Sequence, residues 1–115
     1  MVRNQEDYEK EVREEMRGGR GRVLIEHLWR KEELNSPTRL CARLTLQPGC
    51  SIGFHAHDDE EEVFYIVEGE GTVNDAGTDR AVTAGDTILT GGGAGHSIEA
   101  GPKTSLVLLA FIVKF

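Results

Sequence analysis

Gly49-Cys50-Ser51-Ile52-Gly53-Phe54-His55-Ala56-His57-Asp58-Asp59-Glu60-Glu61-Glu62-Val63-Phe64-Tyr65-Ile66-Val67-Glu68-Gly69 reads as a strand, an acidic connector and a second strand. Side chains alternate between the two faces of a β-strand, so His55 and His57 share a side, with Cβ atoms about 6.6 Å apart at a rise of roughly 3.3 Å per residue. From that spacing two imidazole nitrogens can converge on one cation. Asp58 to Glu61 leads into Glu62 to Val67, whose β-branched and aromatic residues suit a pairing strand. Alternation there puts Glu62, Phe64 and Ile66 on one face. Glu61 is the rival carboxylate, but an inward Phe64 and Ile66 favour Glu62. In the plainer reading, the histidines are polar residues of a half-buried strand and the acidic run is a solvated loop.

A further donor stands downstream, in Gly85-Asp86-Thr87-Ile88-Leu89-Thr90-Gly91-Gly92-Gly93-Ala94-Gly95-His96. This is a turn, a short apolar strand and a glycine run that ends in a histidine. His55, His57, Glu62 and His96 together offer three imidazoles and a carboxylate. That donor set suits a divalent transition metal such as iron, manganese, nickel or zinc, and it leaves positions open if the ion is octahedral. The run from Gly91 to Gly95 lacks the trailing Lys and Ser or Thr of a phosphate-binding loop and opens no helix, so it reads as backbone room beside the ion.

These residues resemble the cupins, a family of small jelly-roll barrels. The first cupin motif is Gly, five residues, His-x-His, three or four residues, Glu, six residues and Gly. It is matched at Gly49, His55, His57, Glu62 and Gly69. The second motif is matched at Gly85, Gly93 and His96, with Gly91 in place of its proline and Ala100 in place of its asparagine. Neither departure touches a proposed metal ligand. The resemblance covers about residues 38–113 and implies an all-β fold, a double-stranded β-helix or jelly-roll barrel.

At 115 residues the chain is one domain, large enough to bury roughly two thirds of the surface its unfolded form exposes. Apolar residues at 38% and charged residues at 29% are ordinary for a globular protein. The longest apolar run, Leu106 to Val113, is too short to span a bilayer as a helix. The net charge of −7 is unevenly spread: residues 1–43 hold ten Lys or Arg against nine Asp or Glu, residues 44–115 three against eleven. An acidic barrel argues against nucleic acid or an anionic membrane as partner. No apolar signal segment follows Met1, and Cys41 and Cys50 read as a reduced pair, so a cytoplasmic location is expected.

Residues 5–17 read as a short helix, because Tyr8, Val12 and Met16 recur at i, i+4 and i+8 and Gly18 and Gly19 supply a stop. The expected organisation is therefore a helical arm over residues 1–21 and a barrel over 22–115. The helix is too short to hold alone, so its stripe must dock on something. Together with the apolar strand around Trp29, that need predicts a homodimer, a state the resemblance also implies.

Val23 to Trp29 reads as a strand that carries an isolated His27. Leu40, Ala42, Leu44 and Leu46 face one way along the next strand, and Arg39, Cys41, Arg43 and Thr45 the other. Which side is inside stays open, and Arg43 is a candidate to clamp a substrate carboxylate. His27 is a second candidate close to the ion. Thr72 to Asn74 and Arg80 to Thr83 form a hairpin across Asp75-Ala76-Gly77.

An ion with open positions can bind an acid or diol, polarise a carbonyl or activate dioxygen. The expected function is a divalent-metal cupin enzyme acting on a small, oxygen-rich substrate, of dioxygenase, decarboxylase, isomerase or lyase type. The alternative is a metal-dependent binding protein for a small molecule without turnover.

Overall fold

Short runs of alternating apolar and polar residues, punctuated by Gly, Pro and Asp, fold into ten strands in a computed structural model that describes residues 1–115. They are β1 (Glu9–Glu14), β2 (Arg22–His27), β3 (Thr38–Leu46), β4 (Ser51–Ala56), β5 (Glu60–Glu68), β6 (Glu70–Asp75), β7 (Thr78–Thr83), β8 (Thr87–Gly91), β9 (Gly95–Ala100) and β10 (Leu106–Lys114). Two antiparallel sheets result, one of six strands in the order β1-β2-β3-β10-β5-β8 and one of four in the order β4-β9-β6-β7. This is the expected all-β jelly roll. One cluster of 15 buried residues fills the space between the sheets, including Val23, Ile25, Leu44, Ile52, Phe64, Ile98 and Leu108. Along β10, Leu106, Leu108, Ala110 and Ile112 are buried while Val107, Leu109 and Phe111 are half-buried on the outer face. The predicted hairpin is present. Ala76 at φ 49° and Gly77 at φ 100° form its two-residue loop, the positive-φ pair that matches the twist of the flanking strands.

The N-terminal helix is not there. Residues 5–7 and 16–18 are short 3-10 turns, and between them β1 pairs with β2 along six residues, from Glu9↔His27 to Glu14↔Arg22. The positions that suggested a helix are all even-numbered, so a period of two also places them on one side. An isolated helix of that length is marginal, whereas the open edge of β2 satisfies the backbone at once. Glu15 at φ 49°, Arg17 at φ 55° and Gly18 at φ 80° then break any right-handed helical path. The stripe does not dock as a unit. Val12 is 57% exposed, while Met16 packs against the core. Residues 9–14 are therefore a strand of the barrel's own sheet. The strand read through to Trp29 ends at His27, and the Leu28 and Trp29 amides both donate to the Cys41 carbonyl.

Candidate metal centre

His55 and His96 are direct partners in the ladder between β4 and β9. Two pairings further along, Ile52 faces Ile98, with Gly53 and Phe54 intervening on β4 but only Ser97 on β9. That extra residue is a β-bulge. It lets Ile52 and His55 both point inward and turns Phe54 out to 57% exposure. His57 lies one residue past β4, pinned where its amide donates to the Ala94 carbonyl at 3.0 Å and its carbonyl accepts from Gly93 at 2.9 Å. Glu62 enters from the other sheet on β5, opposite Thr90 of β8. The cluster thus bridges both layers, with His57, Glu62 and His96 buried and His55 half-buried.

The ligating atoms of all four residues lie within 4.8 Å of one another. His57 Nε2 is 3.1 Å from His96 Nε2, and His96 Nε2 is 3.2 Å from His55 Nε2. Glu62 Oε1 is 2.9 Å from His57 Nε2 and 3.0 Å from His96 Nε2. Each ring also uses its other nitrogen. His55 Nδ1–H donates to the Gly53 carbonyl at 2.8 Å, His57 Nδ1–H to Glu60 Oε2 at 3.3 Å, and His96 Nδ1 pairs with the Thr90 hydroxyl at 2.8 Å. A carbonyl and a carboxylate can only accept, so the proton sits on Nδ1 of His55 and His57 and leaves Nε2 with its lone pair. With Nε2 of His55 and His57 unprotonated, at most the His96 Nε2 can carry a proton, so the centre gathers more lone pairs than its hydrogen bonds can satisfy. A cation removes that conflict, and outer hydrogen bonds on the ring nitrogens are what metal-ligating histidines carry. These donors suit a divalent transition metal. Phe64 stacks flat on the His96 ring, 8° between planes and 4.8 Å between centroids, and fixes its tilt.

Burial holds the His55 imidazole below the usual histidine range, and the charges of His96, His57 and Arg17 push the same way, against the Gly53 bond. Burial raises the Glu60 carboxyl, but its bond to Arg39, the Arg39 charge and His57 more than offset this, so it is held below the usual carboxylate range. Arg39 reaches Glu60 Oε2 at 2.9 Å through a second bulge. In β3 and β10, Leu40 faces Ile112 and Thr38 faces Val113, which leaves Arg39 without a ladder partner and free to swing to the mouth.

A cavity of about 320 Å³ opens onto the centre. His55, His57, Glu62 and Phe64 form part of its floor, and Ile25, Leu40, Leu44, Ile52 and Ile112 its apolar wall. Arg13, Arg17, Arg30, Lys31 and Arg39 also line it, with Glu9 and Glu32. His27 and Trp29 stand in the wall, so His27 shares the cavity with the cluster. Arg43 does not. It lies on the outer face of the six-stranded sheet, where Nη2 donates to Glu26 Oε1 at 3.0 Å and the guanidinium sits 5.9 Å from the Tyr8 ring centroid. Glu61 is exposed, leaving Glu62 as the carboxylate of the cluster. Sequence reasoning missed Glu60, Thr90, Arg39 and Arg17. The one available signal was Glu60, three residues after His57, where it reaches back across the turn to the ring.

A model of the cupin domain matches residues 42–112, well over half of the chain. An oxalate-binding protein of Thermotoga maritima is 46% identical over 98 residues, which cover 85% of this chain and 81% of the relative. A crystal structure from Thermotoga maritima, described as a predicted oxalate decarboxylase, superposes with a TM-score of 0.95 at 42% identity over the whole of both chains. A polyketide cyclase from Streptomyces resistomycificus shares the fold alone, at a TM-score of 0.79 and 21% identity over 99% of this chain and 79% of that one. The domain match spans both sheets and takes in all four converging side chains, and by it the chain belongs to the cupin family.

Proposed function

We propose that His55, His57, Glu62 and His96 hold one divalent transition-metal ion, and that the cavity delivers to it a small dicarboxylate of the oxalate class. The observation that carries this reading is the convergence of three Nε2 atoms and a carboxylate oxygen, with His55, His57 and Glu62 on the floor of a cavity lined by five cations. Four protein donors leave two positions on a six-coordinate iron, manganese or nickel, and none on a tetrahedral zinc. The bound ion supplies Lewis-acid positions for carboxylate oxygens. The apolar wall excludes water, the cations attract a dianion, and His27 is a wall contact for it. Kinship with an oxalate-binding protein supports the same ligand class.

The test is titration calorimetry of metal-loaded protein with oxalate, beside the same protein stripped by a chelator. Binding is expected only with metal present, with one ion per chain by elemental analysis. A loaded protein that takes up no small dicarboxylate, or His57→Ala retaining a full complement of metal, overturns the reading.

A catalytic variant of this reading is favoured by Glu9 and Glu32 in the cavity, since carboxylic acids can deliver a proton. Cleaving the carbon–carbon bond of oxalate to carbon dioxide and formate consumes one proton. Release of carbon dioxide from oxalate by the loaded protein adds turnover to binding, and its absence leaves a binding protein.

The homodimer expectation also continues here on new ground. The outer face of the six-stranded sheet presents Tyr65, Val67 and Leu89, at 45%, 44% and 64% exposure, beside half-buried Val63, Leu109 and Phe111. A contiguous apolar face of this kind suits a second copy of the chain. The free thiols of Cys41 and Cys50 are in keeping with a reducing, cytoplasmic setting.

A further inference from the structure

Among the cations of the cavity, most already have carboxylate partners. Arg13 Nη2 lies 2.8 Å from Glu11, Arg30 contacts Glu9 and Glu33 at 3.2 and 3.3 Å, and Arg39 bonds Glu60 at 2.9 Å. Arg17 and Lys31 are left without one, in a chain that carries 20 acidic residues against 13 basic ones. Of these two, Arg17 lies in a turn packed on Gly53, two residues before His55, and lines the cavity with it.

The backbone around Arg17 is specially held. Arg17 sits at φ 55°, ψ 29°, in the left-handed region that disfavours side chains, although Gly18 and Gly19 follow it immediately. Its turn is seated on β4 beside the His55 bulge. A Cβ on Gly53 would collide with the Arg17 carbonyl oxygen, and one on Gly19 with the Ser51 carbonyl oxygen. Ser51 binds the turn from the other side, its hydroxyl accepting from the Arg20 amide at 2.9 Å and its amide donating to the Arg20 carbonyl at 2.8 Å. The turn is thus clamped by backbone on the strand that carries His55. Strain kept at one position by so much surrounding structure points to a use for the side chain there.

We infer that Arg17 is the anion-recognition residue of the cavity, its guanidinium fork receiving the outward oxygens of a dicarboxylate whose inward oxygens the ion holds. The inference rests on the metal-and-dicarboxylate reading above. A planar fork matches a carboxylate edge with two parallel bonds, which an ammonium cannot do. A ligand with only one carboxylate spends it on the ion and leaves Arg17 unused, so the residue selects dianions over monoanions.

Calorimetry on metal-loaded protein with oxalate and with acetate, together with metal content and Tm, tests this. R17Q is expected to weaken oxalate binding about 10- to 100-fold, to change acetate binding by less than about 3-fold, and to keep one ion per chain. R17K should recover only part of the loss. R17G should lose oxalate binding as R17Q does while holding or raising Tm, because glycine relieves the left-handed backbone. A merely structural arginine would not separate the two readouts in that way. R17Q and R17G binding oxalate like the wild type with full metal content overturns the inference and leaves the proposed function standing, as does a loss that follows K31Q instead. Failure of the loaded wild type to bind oxalate overturns both.

Discussion

Glu60, which neither metal nor ligand need touch, couples two residues of the site. It accepts from His57 on one side and Arg39 on the other. Glu60→Ala should leave His57 free to rotate and lower metal affinity by roughly 10- to 100-fold, with full occupancy recovered at saturating metal, as read by chelator competition. Glu62→Gln, which removes a ligating charge, should instead lose most of the metal after dialysis. Glu62 was legible in advance because a period of two separates it from Glu61, whereas the outer position of Arg43 was not, since alternation pairs residues without saying which face is inside. A different residue pair governs the N-terminus. Arg3 bonds Glu33 at 2.7 and 3.1 Å and lies 4.4 Å from the ring centroid of Trp29, the only tryptophan. The bond to Arg3 holds the Glu33 carboxyl down to about 2 from 4.5, against burial, with Arg30 assisting. A depressed carboxylate stabilises the fold above its unfolded value and loses that contribution as pH falls through its folded one. The Tm deficit of Arg3→Ala should therefore be constant from neutral pH to about 4.5 and shrink as pH falls toward about 2, down to what the Trp29 contact contributes, with Trp29 emission changing over the same window.

At the scale of elements, two bulges shape the site, one re-aiming β4 at Gly53 and Phe54, the other turning Arg39 to the mouth. Strand existence could be read from alternation, and the hairpin from its turn residues. The bulges could not, because one inserted residue leaves the composition of a strand unchanged and only its partner reveals it. The same limit explains the arm over residues 5–17, where three apolar positions four apart satisfy a helical and a strand period alike; the open edge of β2 decided between them. Gly53→Ala tests how closely the arm is fitted to the bulge. Its methyl group would strike the Arg17 carbonyl, which is backbone and cannot rotate away. A cost of roughly 1–3 kcal/mol is expected, seen as a Tm several degrees lower and as faster proteolysis between Arg13 and Arg22.

For the molecule as a whole, the sequence announced an acidic barrel, and the net charge of −7 does not disclose that five of thirteen cationic residues line one cavity. Those cations are spread over residues 13–39, in turns and strands that the fold brings around one mouth, so their convergence has no local signature. The predicted dimer belongs to this scale too. Light scattering should give twice the chain mass at micromolar concentration, and Tyr65→Glu, which puts a charge on the outer sheet face, should give a monomer with an unchanged Tm for the metal-loaded barrel. A wild-type monomer would remove the dimer and leave the metal centre untouched. Such association finds no foothold at β1, one of the two outermost strands of the same sheet. Its sequence, Glu9-Lys10-Glu11-Val12-Arg13-Glu14, lines the exposed ladder with charges on both faces. An incoming strand would have to strip water from them to add itself to the edge. Copies can therefore stack face to face while the β1 edge stays closed to them, so crowding this protein should not add strands at that edge.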